Sequence, residues 1–384
     1  MLALTCAMVL VDTVFYATLV PLLPYFTETL GLSKSAVGVL SAAFGVGVLL
    51  GSAPGGYLAA RLGVKPTALV GLVLMSVSSL LFGFANEMWG LVVLRFAAGF
   101  GSALSWVAAF TWLVARVPEE RRGQTIGTLL SAAVAGVLLG PVLGSAAAIF
   151  GIPPVFALLS TGGILVALWA WRTPAPGPST VKRPFSEILA GFSQPGIAPS
   201  LVTGLLFISL PPLLFGALAV LAPLELARLG WGAVAIGTVF LVAALFEAVA
   251  HPMLGRWSDR AGYRPPILTG LLASIAILIT LPWAPMALLL ASLVVLASVA
   301  FNAPLVPGTV LFTRGAEKAG IEAAIAFGAT NFAWASGYAA GAFLGGGLAD
   351  LGGDALSYLS LAVVCLFALL LLRRESLSTR RAEN

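Results

Sequence analysis

The sequence predicts an all-α membrane protein whose twelve transmembrane helices form two related six-helix bundles. Three observations predict it: a composition too apolar for water, uncharged runs of membrane-crossing length, and a second half that repeats the first. Of the 384 residues, 60% are hydrophobic and only 9% are charged, where soluble domains carry about 25% charged residues. A soluble fold cannot hide that much apolar surface, because accessible surface grows too fast relative to volume. The solvent that suits this chain is lipid.

The runs come first. Residues 35–60, 66–86, 96–115, 323–349 and 355–372 contain no Asp, Glu, Lys or Arg. Each is near or above the ~20 residues that carry a helix across ~30 Å of hydrocarbon. Two longer uncharged runs, 123–171 and 265–313, each hold two crossings, divided at Gly151-Ile152-Pro153-Pro154 and between Pro282 and Pro285. The predicted spans are 3–26, 36–60, 66–85, 89–115, 123–149, 153–171, 199–226, 233–256, 265–282, 285–312, 322–349 and 354–372. Backbone groups in lipid must be satisfied within the segment, and strands of ~10 residues do not fit these lengths, so the spans are helices. The N-terminus lacks the basic stretch of a cleavable signal, so its apolar run reads as the first membrane helix. The chain enters that helix almost at once, and a few leading residues are expected to precede it.

Charge then orients the spans. With loops assigned alternately, seventeen basic residues fall on one side, two (Lys34 and Arg228) on the other, and Arg95 stays inside a span. The basic side is expected to be cytoplasmic, with both termini there and the chain in the cell membrane. The boundaries are a bundle over 1–172, a Pro-, Gly- and Ser-rich linker over 173–198, a second bundle over 199–373 and a tail over 374–384. The net charge of +5 sits in short loops rather than on a patch, which excludes nucleic acid as a partner. Cys6 and Cys365 lie in apolar runs, so no disulfide is expected. One His and two isolated Cys leave no metal-ligand spacing.

The repeat has an offset near 200. Pro24, Leu30 and Gly31 recur as Pro223, Leu229 and Gly230. The loop bearing Gly56, Arg61, Gly63 and Lys65 recurs with Gly255, Asp259, Arg260, Gly262 and Arg264. A glycine ladder of Gly127, Gly136, Gly140, Pro141 and Gly144 recurs as Gly328, Gly337, Gly341, Ala342 and Gly345. Several motifs repeating in one order mark a duplication, and duplicated bundles suit a machine that rocks one half against the other.

Polar residues inside the spans are the candidates for chemistry, because they are costly there unless they face a cavity or a partner. Asp12 lies roughly ten residues into the first helix, ~15 Å deep at 1.5 Å per residue. It can bind a cationic substrate or carry a proton; the alternative is a paired acid near the helix start. Arg95, in the fourth helix, either tunes an acid and bridges helices or snorkels to the interface. Glu247 and His251 share a face of the eighth helix at i and i+4 and can relay a proton. Asn302 and Asn331 can hydrogen-bond substrate or hold helices together. Phe15, Tyr16, Trp106, Phe207, Phe327 and Trp334 either line an apolar cavity or meet lipid. The glycines let helices approach closely, and Pro141 favours a kink. The ladder is therefore expected to form a moving interface between the halves, with static close packing as the alternative.

These motifs resemble the major facilitator superfamily, and within it the drug–proton antiporter branch, over essentially the whole chain. The loop of Gly255, Asp259, Arg260, Gly262 and Arg264 is similar to that superfamily's loop motif, as is its first copy, where Ala60 stands in place of the acid. Arg95, Gly99 and Gly101 resemble its arginine motif. The ladder with Gly140-Pro141 looks like its antiporter signature, with Ser145 in place of the usual last Gly. Val11-Asp12-Thr13 followed by Pro21-Leu-Leu-Pro24 is similar to vesicular amine transporter-like exporters. The resemblance implies proton-driven export of small organic, lipophilic or cationic compounds by alternating access, or of a metabolite such as a sugar or amino acid. It implies no cofactor beyond the proton gradient, and small molecules, protons and lipid as partners of a monomer. Asp259 is expected to latch onto the N-terminus of the helix starting near Gly123, beside Arg121 and Arg122. With one His, no nucleophile motif and no Gly-x4-Gly-Lys-Ser/Thr loop, neither an enzyme nor an ATP-driven pump is expected.

Overall fold

The computed structural model describes residues 1–118, 121–175, 198–321 and 323–383, with all their side chains except those of 122–123, 198–199, 323–325, 327 and 373–383. Most of the 173–198 linker and the tail's side chains therefore lie outside the described residues. Among the described residues there are helices and no strands.

The first crossing is broken in the middle. Helix α1 (Leu2–Ala17) gives way to a 3-10 turn (Val20–Leu22) and then to α2 (Leu23–Leu30). Pro21 and Pro24 supply no N–H to the turn before them, so the helical ladder cannot continue unchanged. The first half goes on with α3 (Lys34–Arg61), α4 (Val64–Phe82), α5 (Met88–Val114), α6 (Arg122–Phe150) and α7 (Ile152–Arg172). The second half holds α8 (Ala198–Arg228), α9 (Ala233–Ala261), α10 (Arg264–Thr280), α11 (Ala287–Asn302), α12 (Leu305–Lys318) and α13 (Ala323–Glu383). Helices α11 and α12 make one crossing, interrupted before Leu305 at Ala303–Pro304.

Eleven helical stretches among the described residues are long and apolar enough to cross a membrane. The last runs from Gly328 to Leu372, 45 residues, or about 68 Å of helix, twice the hydrocarbon thickness. Gly352 (φ −147°) and Gly353 (φ 77°) break its helical geometry and divide α13 into two arms. The count of crossings is thus the twelve expected.

Backbone geometry repeats along with the sequence. Gly31 (φ 62°) and Gly230 (φ 88°) are equivalent, as are Gly63 (φ 98°) and Gly262 (φ 81°), and Gly151 (φ 95°) and Gly353 (φ 77°). These turns need a left-handed residue, which glycine alone adopts without steric cost. In the loop motif, Gly63 and Gly262 are held by this requirement, whereas a Cβ on Gly56 would meet nothing.

The glycines of the two ladders pack closely on the first crossing of their own half. Gly136 abuts Thr13 and the Leu10 carbonyl, Gly140 abuts Ala17, and Gly144 abuts Thr18 and Pro21, all on the first crossing. Their repeats do the same on α8: Gly337 meets Ser209, Gly341 meets Leu213 and Gly345 meets Ala217. The ladder glycines therefore pack against neighbours within one half, while the same two helices meet the other half through the ladder positions Pro141 and Ala342. A four-residue spacing of glycines reports a narrow helix face, and the tertiary arrangement decides which helix fills it. The halves meet along the same two helices. Gly38 of α3 faces Ala342 and Gly346 of α13, and Gly237 of α9 faces Ser145 and Pro141 of α6.

These meetings lie toward one end, called here the far end, which carries Lys34 and Arg228. There a single buried cluster crosses both halves, with Leu22, Leu40 and Ala147 of one beside Leu221, Ile236 and Ala342 of the other. At the opposite, basic end the buried cores separate. Leu4, Met8, Trp112 and Leu129 belong to a first-half cluster that only Ala335 and Trp334 join from the second half, and Leu201, Phe312 and Ala316 to a second-half one. The ladder glycines nearest that end, Gly127 and Gly328, face open space. The structure is closed at the far end and parted at the basic end.

Candidate functional site

The break in the first crossing builds the polar centre of the first half. Where the ladder lapses near Pro21, the carbonyls of Phe15 and Tyr16 turn to Arg95 of α5. Its two terminal nitrogens donate to them at 2.9 and 2.6 Å. The guanidinium also lies over the Phe44 ring, 4.7 Å from its centroid. Arg95 is buried, so it is a helix-bridging residue and not a snorkelling one. Its positive charge sits at the carbonyl end of α1, where the helix dipole favours a cation.

Asp12 is one turn earlier on α1 and is also buried. Ser102 of α5 donates to its Oδ2 at 2.8 Å. Its Oδ1 has no hydrogen-bond partner among the described residues. An unpaired buried carboxylate oxygen is expensive. Such an oxygen is relieved by holding a proton or receiving a donor from elsewhere. Arg95 acts on Asp12 through space while its terminal nitrogens are bonded to backbone.

The second half contributes Glu247 and His251 of α9. Their side chains are 24% and 26% exposed, although both lie within a membrane-spanning helix, and Glu247 Oε1 is 3.7 Å from His251 Nε2. That distance is electrostatic contact, too long for a hydrogen bond. Glu247 also acts through space on Tyr16 of the first half.

Tyr16 anchors an aromatic group that crosses the cleft. It packs on Phe44 (centroids 5.4 Å apart), Trp334 (5.5 Å) and Tyr338 (5.1 Å), and Trp334 stacks on Tyr338 with planes 4° apart. Of the aromatic residues named from sequence, Tyr16 and Trp334 join this group. Phe15 and Phe207 are core residues, Trp106 packs on Phe110, and the Phe327 side chain lies outside the described residues. Asn331 reaches across the halves to Ser52 Oγ at 3.4 Å. Asn302 donates to the Ser298 carbonyl of its own helix at 2.9 Å, which places its amide at the α11–α12 interruption.

Sequence reasoning missed Ser102, Phe44, Tyr338 and Ser52. Two of these carried a signal: Ser102 is seven residues from Arg95 and Tyr338 four from Trp334, so each shares its partner's helix face.

The latch expected at Asp259 is directed at the helix start near Gly123. Asp259 is exposed and has no hydrogen bond or ion pair among the described residues. The Arg122 side chain and the surroundings of Gly123 lie outside what is described. In the first copy of the loop, Arg61 lies over Tyr57, 5.2 Å from the ring centroid. Among the described residues no His, Cys, Asp and Glu cluster could hold a metal.

Comparison with known proteins agrees with this architecture. The profile of the Major Facilitator Superfamily matches residues 5–342 and, separately, 215–384. The chain belongs to the Major Facilitator Superfamily. Within that superfamily it is similar to the Multidrug resistance protein MdtG of Enterobacter lignolyticus (strain SCF1), 29% identical over 289 residues, covering 70% of this chain and 68% of the relative. The protein of that name from Escherichia coli (strain 55989 / EAEC) is 28% identical over 283 residues, covering 70% and 68%. Among solved structures, a bacterial homolog to the human lysosomal transporter Spinster, in an inward-facing and unoccupied conformation, matches with TM-score 0.75 and 17% identity over 97% of this chain and 94% of that one. A D-xylose-proton symporter matches with TM-score 0.73 and 17% identity over 97% and 95%. At these identities the structural likeness is one of fold. The protein is a multi-pass membrane transporter of this superfamily, not an enzyme.

Proposed function

We propose that this transporter exports small organic compounds, lipophilic or cationic, in exchange for protons by alternating access. The basic end and both termini face the cytoplasm in this reading, and the proton gradient supplies the energy without a bound cofactor. The observation that carries it is the placement of two carboxyl groups in opposite halves. Asp12 is buried with one oxygen unpaired, and Glu247, on a spanning helix of the other half, is partly exposed. Acids held inside a membrane span are functional by default. A group that accepts either a proton or a cationic cargo couples the two, because the occupant decides which state is favoured. The aromatic group of Tyr16, Phe44, Trp334 and Tyr338 offers π faces that suit lipophilic cations. The names carried by the MdtG relatives support drug export.

The cycle follows from the geometry. With the basic end parted, cargo enters from the cytoplasmic side and meets Glu247 and His251 at the cleft surface. The aromatic group above it crosses both halves and blocks passage until the far end opens. Protons arriving from that side then displace the cargo and return the halves to the parted state.

The test is proton release from everted vesicles on adding candidate cations, comparing the unaltered protein with Asp12→Asn and Glu247→Gln. Drug-dependent proton movement, lost in either variant, is the expected result. Movement surviving both substitutions overturns the assignment of the two acids. No response across a broad panel of lipophilic cations overturns the substrate class and turns the search to sugars and amino acids.

A further inference from the structure

The far end is closed by charge as well as by apolar packing, and its charged contacts come from a pair of acids with no part in the proposed chemistry. Asp350 ends the first arm of α13 in the second half. Its Oδ1 accepts from the backbone N–H of Lys34 at 3.1 Å, and its Oδ2 from that of Ser35 at 2.9 Å. Both N–H groups belong to the first turn of α3, in the first half, where a helix has no internal acceptors. The next N–H, of Ala36, is taken by Ser33 Oγ at 3.3 Å. Asp350 thus caps, from the other half, a helix end whose dipole favours an anion. Immediately after the Gly352–Gly353 break, Asp354 pairs with the Lys34 ammonium. Lys34 and Asp354 also line a cavity of about 400 Å³ with Glu225, Arg228 and Tyr358.

We propose that Asp350 and Asp354 form an interhalf clamp on the first turn of α3 that holds the far end shut and sets the balance between the two states of the transporter. When the halves part there, two backbone donors and an ammonium lose their partners together. Closure therefore carries a charge-assisted contribution that the repeat-related site does not share, since Ile149 occupies the position equivalent to Asp350. The carboxylate-on-helix arrangement expected at the basic end from Asp259 is found here at the opposite mouth. The inference rests on alternating access as proposed above. Its test reads distance rather than transport, so the two readings fail separately.

The experiment uses the full chain in lipid nanodiscs, with Cys6→Ala and Cys365→Ala, and nitroxide labels at Glu87→Cys and Met286→Cys. Both positions are exposed in far-end loops of opposite halves. Double electron–electron resonance on this background gives the closed distance. Asp350→Asn with Asp354→Asn is expected to raise the ratio of long-distance to short-distance populations about tenfold, which corresponds to about 1.4 kcal/mol. Glu28→Gln, an exposed far-end acid on α2, is expected to change nothing. Raising salt to ~1 M on the parent should shift the ratio in the same direction as the double variant, because exposed pairs are screened. An unchanged distribution in the folded double variant overturns the clamp, as does an equal shift with Glu28→Gln. If the double variant does not fold, an unchanged distribution in high salt overturns it.

Discussion

Gly38→Ala should open the far end of this transporter without weakening either half. A Cβ built on Gly38 lies 2.6 Å from the Ala342 carbonyl oxygen and 3.2 Å from the Gly346 Cα. Both are backbone atoms of α13, so no rotamer change relieves the clash, and the two helices must separate. Overpacking of this kind costs about 1–3 kcal/mol. The substitution also raises helix propensity by about 0.5–1 kcal/mol. That gain applies in both states, since α3 stays helical in each, so it cancels from the balance between them. The clash exists only where α3 meets α13, so the closed-far-end state alone bears it. The ratio of states should move by roughly 5- to 150-fold toward far-end opening. Hydrogen exchange measured by mass spectrometry checks this. Amides around Lys34–Leu40 and 342–349 should exchange faster, and those near Asp259 and Gly127 slower, as the basic end closes. Gly127→Ala is the comparison, because its Cβ would meet nothing in this state. Faster exchange at both ends, or a lowered melting temperature with an unchanged pattern, would refute the reasoning. Either would mean the clash is absorbed inside a half.

Two further outcomes follow from the same geometry. Arg95→Met should leave the Phe15 and Tyr16 carbonyls unpaired in a buried site and destabilise the protein by about 1–3 kcal/mol per carbonyl left dry; Arg95→Lys should recover part of that, and thermal melting in detergent ranks the three. Ala60→Asp restores an acid to the first loop copy, where Ala60 is now exposed. It should stabilise the closed basic end and slow labelling of a cysteine placed there, and unchanged labelling would count against a latch role for this loop.

Much of the architecture was legible in the chain because lipid imposes one demand everywhere: about twenty apolar residues per crossing, helical and uncharged. The spans, the duplication and the division at Gly352–Gly353, expected between 349 and 354, follow from that demand. So do the glycine turns, since a loop of one or two residues between long helices needs a positive-φ position at Gly63, Gly151 and Gly262. Asp12, Arg95 and Glu247 stood out for the same reason, as charges where charges are costly.

Direction and partnership were not legible. The ladder's spacing declared a narrow face on α6 but not that α1 would fill it, because facing is a property of two helices. Asp350 and Asp354 read as the ends of apolar runs, and only the approach of α13 to α3 made them a clamp. Asp259 matched a latch motif, and the sequence did not say how exposed its carboxylate would be. The sequence by itself determined what must lie in the membrane and which polar groups lie there with it, because transfer from water to lipid is a local, additive cost along the chain. Tertiary structure alone decided which of those groups meet and which end is shut, because hydrogen bonds and steric contacts depend on distances between residues far apart in sequence.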